Sequence, residues 1–411
     1  MGFYCKRAAL ARFAMGVALS IAAPHALAQI NQPVHDRAEH YKEDGLKLLE
    51  RLVNIDSGSG YEPGLQQVRA IVSEELKKLG ASIETFPATP ASGESIVATL
   101  KGTGKARILL MAHMDTVFKE GTATAKPFYI KDGRAYGPGV MDDKGGIVAG
   151  LYALKILQDL DFKDYAKITF LLDTNEETGS KGTTELIQRV AKEHDVTLNL
   201  EPGRPADGLV IWRKGSGTAV VEVKGKSAHA GVAPDSGRNA AMEAAHQILQ
   251  LGKLGDPGKQ TTVNFTVLKA GDRVNVIPDS AIAKADVRVL VPEEFDRVER
   301  DLARVSANKL IADTEVRTSL QRGLPPMSPT PAQDALATKA QAIYGEIGRK
   351  LTLEGSGGAA DASLSAAMGT ATLDGFGIVG GGIHTEDEYA EVESVVPRLY
   401  LLTRMLMEIT R

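Results

Sequence analysis

The chain has 411 residues, of which 43% are apolar and 24% charged, a composition typical of a globular protein and not of a disordered, coiled-coil or collagen-like one. The formal net charge is −4 and aromatic residues make up 5%, so neither a nucleic-acid surface nor an anionic-membrane partner is indicated. At roughly 100–200 residues per domain, the length predicts about two or three units.

Residues 1–28 are predicted to be an export signal. A positively charged start is followed by the apolar run at residues 13–23 and by a small-x-small sequence that ends at Ala28, where we expect cleavage. The apolar run is too short for a membrane anchor, which needs about 20 residues. We therefore expect a periplasmic or secreted protein without a membrane anchor.

The only cysteine, Cys5, lies inside this predicted signal. The mature chain would therefore have no disulfide and no thiolate ligand. Any metal ion must be bound by histidine and carboxylate side chains.

The elements that follow alternate between helices and strands. Residues 36–80 have the apolar spacing of helices. After them, short buried-strand runs are predicted at 107–112, 168–173 and 196–200, and helices at 145–160 and 182–193. This alternation predicts an α/β fold whose mixed, mainly parallel sheet has helices on both faces.

Residues 215–323 have a different, self-contained pattern. Strands are predicted at 218–224, 262–269, 282–289 and 315–320, and helices at 239–251 and 293–309. The order βαββαβ is that of a ferredoxin-like α+β domain. Helices at 332–344 and 395–409 then resume the first pattern, so we predict one discontinuous domain, 29–214 and 324–411, with an inserted domain, 215–323.

His113 and Asp115 follow the first of the buried strands. Residues two apart on an extended chain face the same way, so the pair can contact one site or each other. A single His-x-Asp pair is more typical of a buried histidine bonded to a neighbouring acid. That interpretation is weakened only by the acids that follow.

Further carboxylates stand at successive strand ends. Asp142 and Asp143 lie in a glycine-rich loop before a helix, Glu176 and Glu177 follow the second strand, and Glu201 follows the third. Adjacent acids at a helix start could merely cap the helix. The carboxyl edge of an α/β sheet is, however, where ligands bind.

Carboxylates gathered in one cleft repel one another unless a cation compensates them. Histidine and carboxylate ligands without sulfur match zinc, with cobalt or manganese as substitutes. Two such ions would lower the pKa of a water molecule and polarise a carbonyl, while one unligated glutamate acts as the base. The residues alone do not decide which of Glu176 and Glu177 binds metal.

The sequence resembles the co-catalytic zinc peptidases, a family that includes glutamate carboxypeptidase, aminoacylase, succinyl-diaminopimelate desuccinylase and carnosinase. It is most similar to the bacterial secreted glutamate carboxypeptidases. The resemblance spans nearly the whole mature chain and rests on HMDTV, YGPGVMDDKGG, the Glu-Glu pair, Glu-Pro, GKSAHAG, NVIP, ADVR and a late glycine-rich loop followed by histidine. The order and spacing of these pieces make it specific.

The resemblance implies a complete set of ligands for two zinc ions per subunit. One ion would be bound by His113 and Glu201, the other by Glu177 and His384, with Asp142 bridging them.

The resemblance also assigns the residues around the ions. Glu176 becomes the base, Asp115 orients His113, and a cis peptide joins Asp142 to Asp143.

Three residues of the inserted domain are implied to contact the substrate. His229 would reach the site of the opposite subunit and donate to the oxyanion, which implies a homodimer formed through this lid domain. Asn275 would contact the substrate, and Arg288 would clamp a free carboxylate. From the residues alone, His229 is equally well a turn histidine. An ordinary edge-strand arginine is the alternative for Arg288.

A second carboxylate-binding element is expected in residues 356–361. Backbone amides at Gly357 and Gly358 can cradle the terminal carboxylate of the substrate. Ala360 stands where the family commonly has threonine, so one hydroxyl contact is missing and substrate preference is expected to differ. The remaining mature histidines, His35, His40, His194 and His246, are predicted to be structural.

The predicted function is a di-zinc metallocarboxypeptidase that hydrolyses the amide bond before a C-terminal amino acid, preferentially glutamate, in folate-type, peptide or N-acyl substrates with a free carboxylate. The alternative within the family is an N-acyl amino acid amidohydrolase or dipeptidase. The alternative outside the enzyme class is a periplasmic solute-binding protein, which would not need Glu176 beside a complete ligand set.

Overall fold

The computed structural model describes residues 29–410, so the predicted export signal and its cleavage site lie outside the described residues. The helices are α1 (Gln32–Val53), α2 (Glu62–Lys78), α3 (Thr122–Ala125), α4 (Lys144–Asp159), α5 (Thr184–Lys192), α6 (Ala240–Leu251), α7 (Glu293–Ser306), α8 (Pro331–Glu346), α9 (Ala362–Ala366) and α10 (Val395–Glu408). Among these residues, none of the helices has both the length and the apolar character needed to cross a bilayer.

The strands are named in chain order. They are β1 (Ser82–Pro87), β2 (Glu94–Lys101), β3 (Arg107–His113), β4 (Tyr129–Lys131), β5 (Arg134–Tyr136), β6 (Lys167–Asp173), β7 (Val196–Asn199), β8 (Gly208–Arg213), β9 (Gly215–Lys224), β10 (Ala228–His229), β11 (Thr262–Ala270), β12 (Val276–Ile277), β13 (Ser280–Val289), β14 (Glu315–Arg322), β15 (Thr352–Ser356), β16 (Ala371–Leu373), β17 (Gly380–Gly381) and β18 (Tyr389–Glu391).

The largest sheet has six strands in the order β1-β2-β6-β3-β7-β16. The last four strands in this order pair in parallel. β2 pairs antiparallel with both of its neighbours, β1 and β6. The predicted mixed, mainly parallel sheet is thereby confirmed. β1 and β2 were not predicted. β1 lies at the sheet edge with mostly exposed side chains and lacks the apolar run that marks inner strands, whereas β2 has such a run and was overlooked.

Helices cover both faces of this sheet, and the side chains of β3 show how. Ile108 and Leu110 belong to an apolar cluster with α1, α4 and α10, while Leu109 and Met111 point to the other face and pack with α5 and α9. Successive side chains of a strand face opposite ways, so a strand with both faces buried reads as a continuous apolar run. That is why β3 was recognisable from its sequence.

A second sheet, with the order β11-β13-β9-β14, is antiparallel throughout and packs against α6 and α7. The chain order βαββαβ confirms the predicted ferredoxin-like arrangement. An apolar cluster made only of residues between Ala219 and Leu320 fills the space between this sheet and its helices. The opposite face of the sheet carries no helix of this unit and presents polar side chains such as Asp286 and Arg288.

Candidate metal centre

The candidate ligands come from the carboxyl ends of three adjacent parallel strands. His113 is the last residue of β3, the Glu176–Thr178 turn follows β6, and Glu201 follows β7. Because β6, β3 and β7 are neighbours, these side chains meet at one edge of the sheet. Asp142 and His384 are added by loops, one preceding α4 and the other joining β17 to β18.

These residues form two donor sets that share Asp142. One set is His113, Asp142 and Glu201, and the other is Asp142, Glu177 and His384; within each set the ligand atoms lie within 4.8 Å of one another.

Each carboxylate oxygen of Asp142 faces a different histidine. Nε2 of His113 lies 3.0 Å from Oδ1, and Nε2 of His384 lies 3.2 Å from Oδ2. Glu201 and Glu177 complete the two sets at 3.7 Å and 3.2 Å from the same histidine nitrogens. The structure therefore brings together all five residues predicted as metal ligands.

Close packing allows this convergence at the start of α4. A Cβ atom at Gly146 would lie 2.0 Å from Oδ1 of Asp143 and 2.2 Å from the carbonyl oxygen of Leu200, so only glycine fits there. The helix can then begin directly beside the chain that leads into Glu201. The cis peptide bond expected between Asp142 and Asp143 is present.

Asp115 contacts His113 mainly through its backbone oxygen, and its carboxylate lies farther from the ring. The nearest partner of Nδ1 of His113 is the backbone oxygen of Asp115 at 3.0 Å, with its carboxylate at 3.4 Å. The carboxylate also accepts hydrogen bonds from the backbone N–H groups of Glu176, at 3.1 Å, and Glu177, at 3.3 Å, and from Ser59. Asp115 thus orients the histidine and the acidic turn together.

Carboxylates outnumber histidines in this centre, and the pKa values of Glu201, Glu176 and His113 are shifted. Burial and the neighbouring Asp142 raise the pKa of Glu201 to about 8. Burial and the charge of Glu201 raise the pKa of Glu176 well above its usual range. Burial alone would lower the pKa of His113, but its hydrogen bonds to Asp115 and Asp142 raise it well above the usual value.

The donor chemistry fits a pair of divalent cations. Two imidazoles and three carboxylates converge without a thiolate, which matches zinc, cobalt or manganese. Oε1 of Glu177 is buried and has no hydrogen-bond partner among the described residues. A buried carboxylate oxygen without a partner is costly unless a cation compensates it.

Two supporting residues were missed. Arg213, at the end of β8, is buried, forms an ion pair with Asp374 and lies 3.6 Å from Oε2 of Glu201. Glu388 is buried and accepts hydrogen bonds from the backbone of the loop that contains Asp142. An arginine that ends an apolar strand was a usable signal for Arg213, whereas nothing in the local sequence distinguishes Glu388.

His229 lies on β10 and Asn275 directly precedes β12, and these two short strands pair antiparallel. The N–H of Ala230 donates to the backbone oxygen of Asn275 at 2.9 Å. Nδ1 of His229 accepts from the N–H groups of Gly231 and Val232, each at 3.2 Å. The ring proton therefore belongs on Nε2, which is left as a donor. His229 is exposed and makes no hydrogen bond or ion pair with the five ligands.

The remaining predicted residues lie in two places. Arg288 lines a cleft beside the acidic turn, and its Nε donates to Asp286. Gly357 and Gly358 follow β15, and Arg213 donates to the backbone oxygen of Gly358 at 3.4 Å. The glycine pair is thereby connected to the metal centre through Arg213, a link that was not predicted.

Among the other histidines, His194 is buried and fully bonded. Its ring contacts the backbone oxygen of Val190 at 2.7 Å and the hydroxyl of Thr169 at 2.8 Å. Burial lowers its pKa to about 4, so the ring is neutral. This agrees with a structural role.

Comparison with known proteins identifies the family. Residues 109–408 match the family described as Peptidase family M20/M25/M40. The chain is 37% identical over 368 residues to carboxypeptidase G2 of a Pseudomonas species, covering 89% of both chains. It is also 28% identical over 374 residues to a succinyl-diaminopimelate desuccinylase of a Bradyrhizobium species, covering 86% of this chain and 95% of the relative.

Solved structures share the fold. Aminopeptidase PepT from Bacillus cereus superposes with a TM-score of 0.79 over 90% of this chain and 99% of that one, at 23% identity. The family match, the similarity to carboxypeptidase G2 and the converging ligands confirm the predicted resemblance and the predicted enzyme class. The chain belongs to peptidase family M20/M25/M40 and is a metallopeptidase.

Proposed function

We propose that this metallopeptidase removes a C-terminal amino acid, preferentially glutamate, from folate-type, peptide or N-acyl substrates. One observation carries the proposal: two donor sets share Asp142, while Glu176 lies in the same acidic turn and belongs to neither set. The similarity to carboxypeptidase G2 over 89% of both chains supports the same reaction class.

Two zinc ions are the proposed cofactor, with cobalt or manganese as substitutes. His113 and Glu201 would bind one ion, Glu177 and His384 the other, and Asp142 would bridge them. When bound, the ions lower the pKa of a water molecule and polarise the scissile carbonyl.

Glu176 is the proposed base. Its backbone N–H donates to Asp115, which holds the turn in place. No hydrogen bond of its carboxylate is found within residues 29–410, so the carboxylate is available for proton transfer. The side chain takes a proton from water and later delivers it to the leaving nitrogen. Burial and the charge of Glu201 raise the pKa of this carboxyl, a direction that makes it a stronger base than an exposed glutamate.

Substrate binding is assigned to both parts of the chain. We propose residues 29–214 and 324–411 as the catalytic domain and 215–323 as an inserted lid. Nε2–H of His229 donates to the developing oxyanion, and Asn275 contacts the substrate. Arg288 and the amides of Gly357 and Gly358 bind its free carboxylate.

A homodimer through the lid is part of the proposal. β11 is an edge strand of the lid sheet, and exposed edges with apolar side chains are suited to pairing with a second copy. Leu268 on this strand is 52% exposed, and Met242 and Leu249 on α6 are 54% and 72% exposed. His229 of one copy would then serve the site of the other.

The proposed location is the periplasm or the exterior of the cell. It rests on residues 1–28, whose charge pattern and small-x-small end are those of a cleaved signal.

An N-acyl amino acid amidohydrolase or dipeptidase on the same scaffold is the second candidate. Two observations favour it: other relatives are named succinyl-diaminopimelate desuccinylase and acetylornithine deacetylase, and Ala360 has no hydroxyl to offer a carboxylate. Family membership supports either enzyme over the solute-binding protein considered from the sequence.

The substrate class is tested by mass-spectrometric identification of the products from zinc-loaded protein. Folyl-glutamate, acyl amino acids and dipeptides would be compared at equal concentration. Faster release of C-terminal glutamate than of any other product supports the first candidate, and preferred hydrolysis of short acyl groups or dipeptides supports the second.

The role of Glu176 is tested by Glu176→Gln. Because glutamine keeps the shape of the side chain and cannot accept the proton, we expect zinc content to stay unchanged and kcat to fall by at least about a hundredfold. Glu193→Gln, on a glutamate that pairs with Lys167 at the surface, is the control. Amide hydrolysis retained at the wild-type rate in Glu176→Gln would refute the proton role.

A further inference from the structure

A cleft of about 780 Å³ lies beside the acidic turn, between the two sheets. One wall is formed by Gly179, Lys181 and the start of α5, which directly follow Glu176 and Glu177 along the chain. The other wall is formed by the helix-free face of the lid sheet, where Arg288 stands on β13. A group entering this cleft therefore lies between the metal centre's own turn and the lid.

Three cationic side chains line the cleft, and they differ in their partners. Arg322 is paired with Asp296 and Glu299. Arg288 uses Nε to bond Asp286, at 3.0 and 3.1 Å, and no hydrogen bond of its two terminal nitrogens is found among the described residues. The guanidinium is thus held in place through Nε, and its two terminal nitrogens, here called the fork, remain available. A fork of this kind can bind a carboxylate through two parallel hydrogen bonds.

Lys181 is the third cation, and its ammonium group has no ion pair or hydrogen bond among residues 29–410. Glu185 also lines the cleft, but it lies on α5 whereas Lys181 precedes the helix, and the two form no ion pair. An unpaired ammonium in a cleft that already contains a positioned guanidinium is suited to a second anionic group on the same ligand.

We propose that Lys181 binds the side-chain carboxylate of the leaving residue while the terminal fork of Arg288 binds its α-carboxylate. The inference rests on the proposed function and names its substrate class: C-terminal residues that carry two carboxylates, glutamate above all. Lys181 is then a specificity-determining residue, because its charge is matched by an acidic side chain and left uncompensated by a neutral one.

The experiment compares substrates and ligands that differ only in this charge. N-benzoyl-glutamate and N-benzoyl-glutamine have nearly the same shape, so the ratio of their kcat/KM values isolates the contribution of the side-chain carboxylate. We expect zinc-loaded wild-type protein to favour the glutamate substrate at least tenfold and Lys181→Met to lose most of that preference through KM for the glutamate substrate. Lys181→Arg should restore it.

Lys192→Met is the matched control, because Lys192 lies at the far end of α5 from the cleft and is also exposed. It should leave the glutamate-to-glutamine ratio unchanged. A wild-type preference that survives in Lys181→Met, or an equal loss for both substrates in that variant, would overturn the inference.

A second readout separates this inference from the proposed function. Isothermal titration of the protein with free glutamate and with glutamine measures the same discrimination without turnover. Binding discrimination that disappears in Lys181→Met, in a protein that hydrolyses neither substrate, supports Lys181 and refutes the proposed hydrolysis. Hydrolysis of both substrates at equal rates with equal binding of both ligands refutes Lys181 and leaves the hydrolysis standing.

Discussion

His113, Asp115 and Asp142 form a chain of contacts in which each residue fixes the next. The backbone oxygen of Asp115 accepts a hydrogen bond from Nδ1–H of His113, and this turns Nε2 towards Asp142 and Glu201, the other two members of its donor set. The carboxylate of Asp115 holds the backbone of the Glu176–Thr178 turn at the same time. One buried acid therefore positions a candidate ligand of one donor set and the turn that contains both the proposed base and a candidate ligand of the other set.

A prediction at this scale concerns His194, whose pKa is lowered by burial to about 4 from the usual 6.5. The unfolded chain therefore binds more protons than the folded chain between about pH 4 and pH 6.5, and the free energy of unfolding falls as pH decreases through this range. We expect His194 to account for a loss of about 2 kcal/mol between pH 7 and pH 5. Denaturant unfolding at several pH values, on wild type and His194→Gln, measures it.

His246→Gln is the control for that series, since His246 is exposed and bonds only the backbone oxygen of Asn308. The wild type and His246→Gln should show the same pH dependence, and His194→Gln a shallower one. Parallel curves for wild type and His194→Gln would contradict the assignment of a buried neutral imidazole.

At the scale of elements, two loops with ligands are tied together by Glu388. This residue ends the loop that contains His384, and its carboxylate accepts from the backbone N–H groups of Gly139, Met141 and Asp142 at 2.8 to 3.0 Å. The two loops lie more than 240 residues apart in the chain. Their relative position, and with it the sharing of Asp142 between two histidines, depends on this carboxylate.

We therefore expect Glu388→Gln to weaken zinc binding by about ten- to a hundredfold. The NH₂ group that replaces one carboxylate oxygen cannot accept from a backbone N–H, so the hydrogen bonds to that oxygen are lost. Isothermal titration with zinc measures the effect. Glu386→Gln is the matched control in the same loop, as Glu386 is exposed and pairs with Lys126. Equal zinc affinity in Glu388→Gln and Glu386→Gln would show that the loop is held by other contacts.

At the scale of the whole molecule, the proposed catalytic residues lie in two parts of the chain, and His229 makes no hydrogen bond or ion pair with the five candidate metal ligands. His229 and Asn275 are exposed beside the short sheet of β10 and β12, and the exposed apolar side chains of β11 and α6 are the surface through which we propose that a second copy binds. The proposed shared site would give a role to Nε2–H of His229, which makes no contact with the donor sets of its own subunit.

Mixing two inactive variants tests this arrangement. If His229 acts in the opposite subunit, an equimolar mixture of His229→Ala and Glu176→Ala contains heterodimers in which one site has both residues. Random pairing predicts activity of about a quarter of the wild-type value, provided the subunits exchange. Heterodimers purified with two different tags and found inactive would show that each site uses its own His229.

The sequence predicted the α/β alternation, the ferredoxin-like order of residues 215–323 and the strand-end acids, because each follows from local rules. A run of apolar residues such as 168–173 marks a buried strand wherever it lies, and parallel strands must bring their carboxyl ends to one edge. The choice between Glu176 and Glu177 as ligand did not follow from such rules and came from the family resemblance. Only their side-chain directions distinguish the two.

By itself, then, the sequence determined the kinds of donor available and the elements that would present them, since periodicity and residue chemistry are properties of short segments. The tertiary structure alone decided which oxygen of Asp142 faces which histidine, that Glu388 joins two distant loops, and that Lys181, which has no partner among residues 29–410, lies across the cleft from Arg288. Those contacts join residues far apart in the chain, and packing selects them among many partners of equal chemistry.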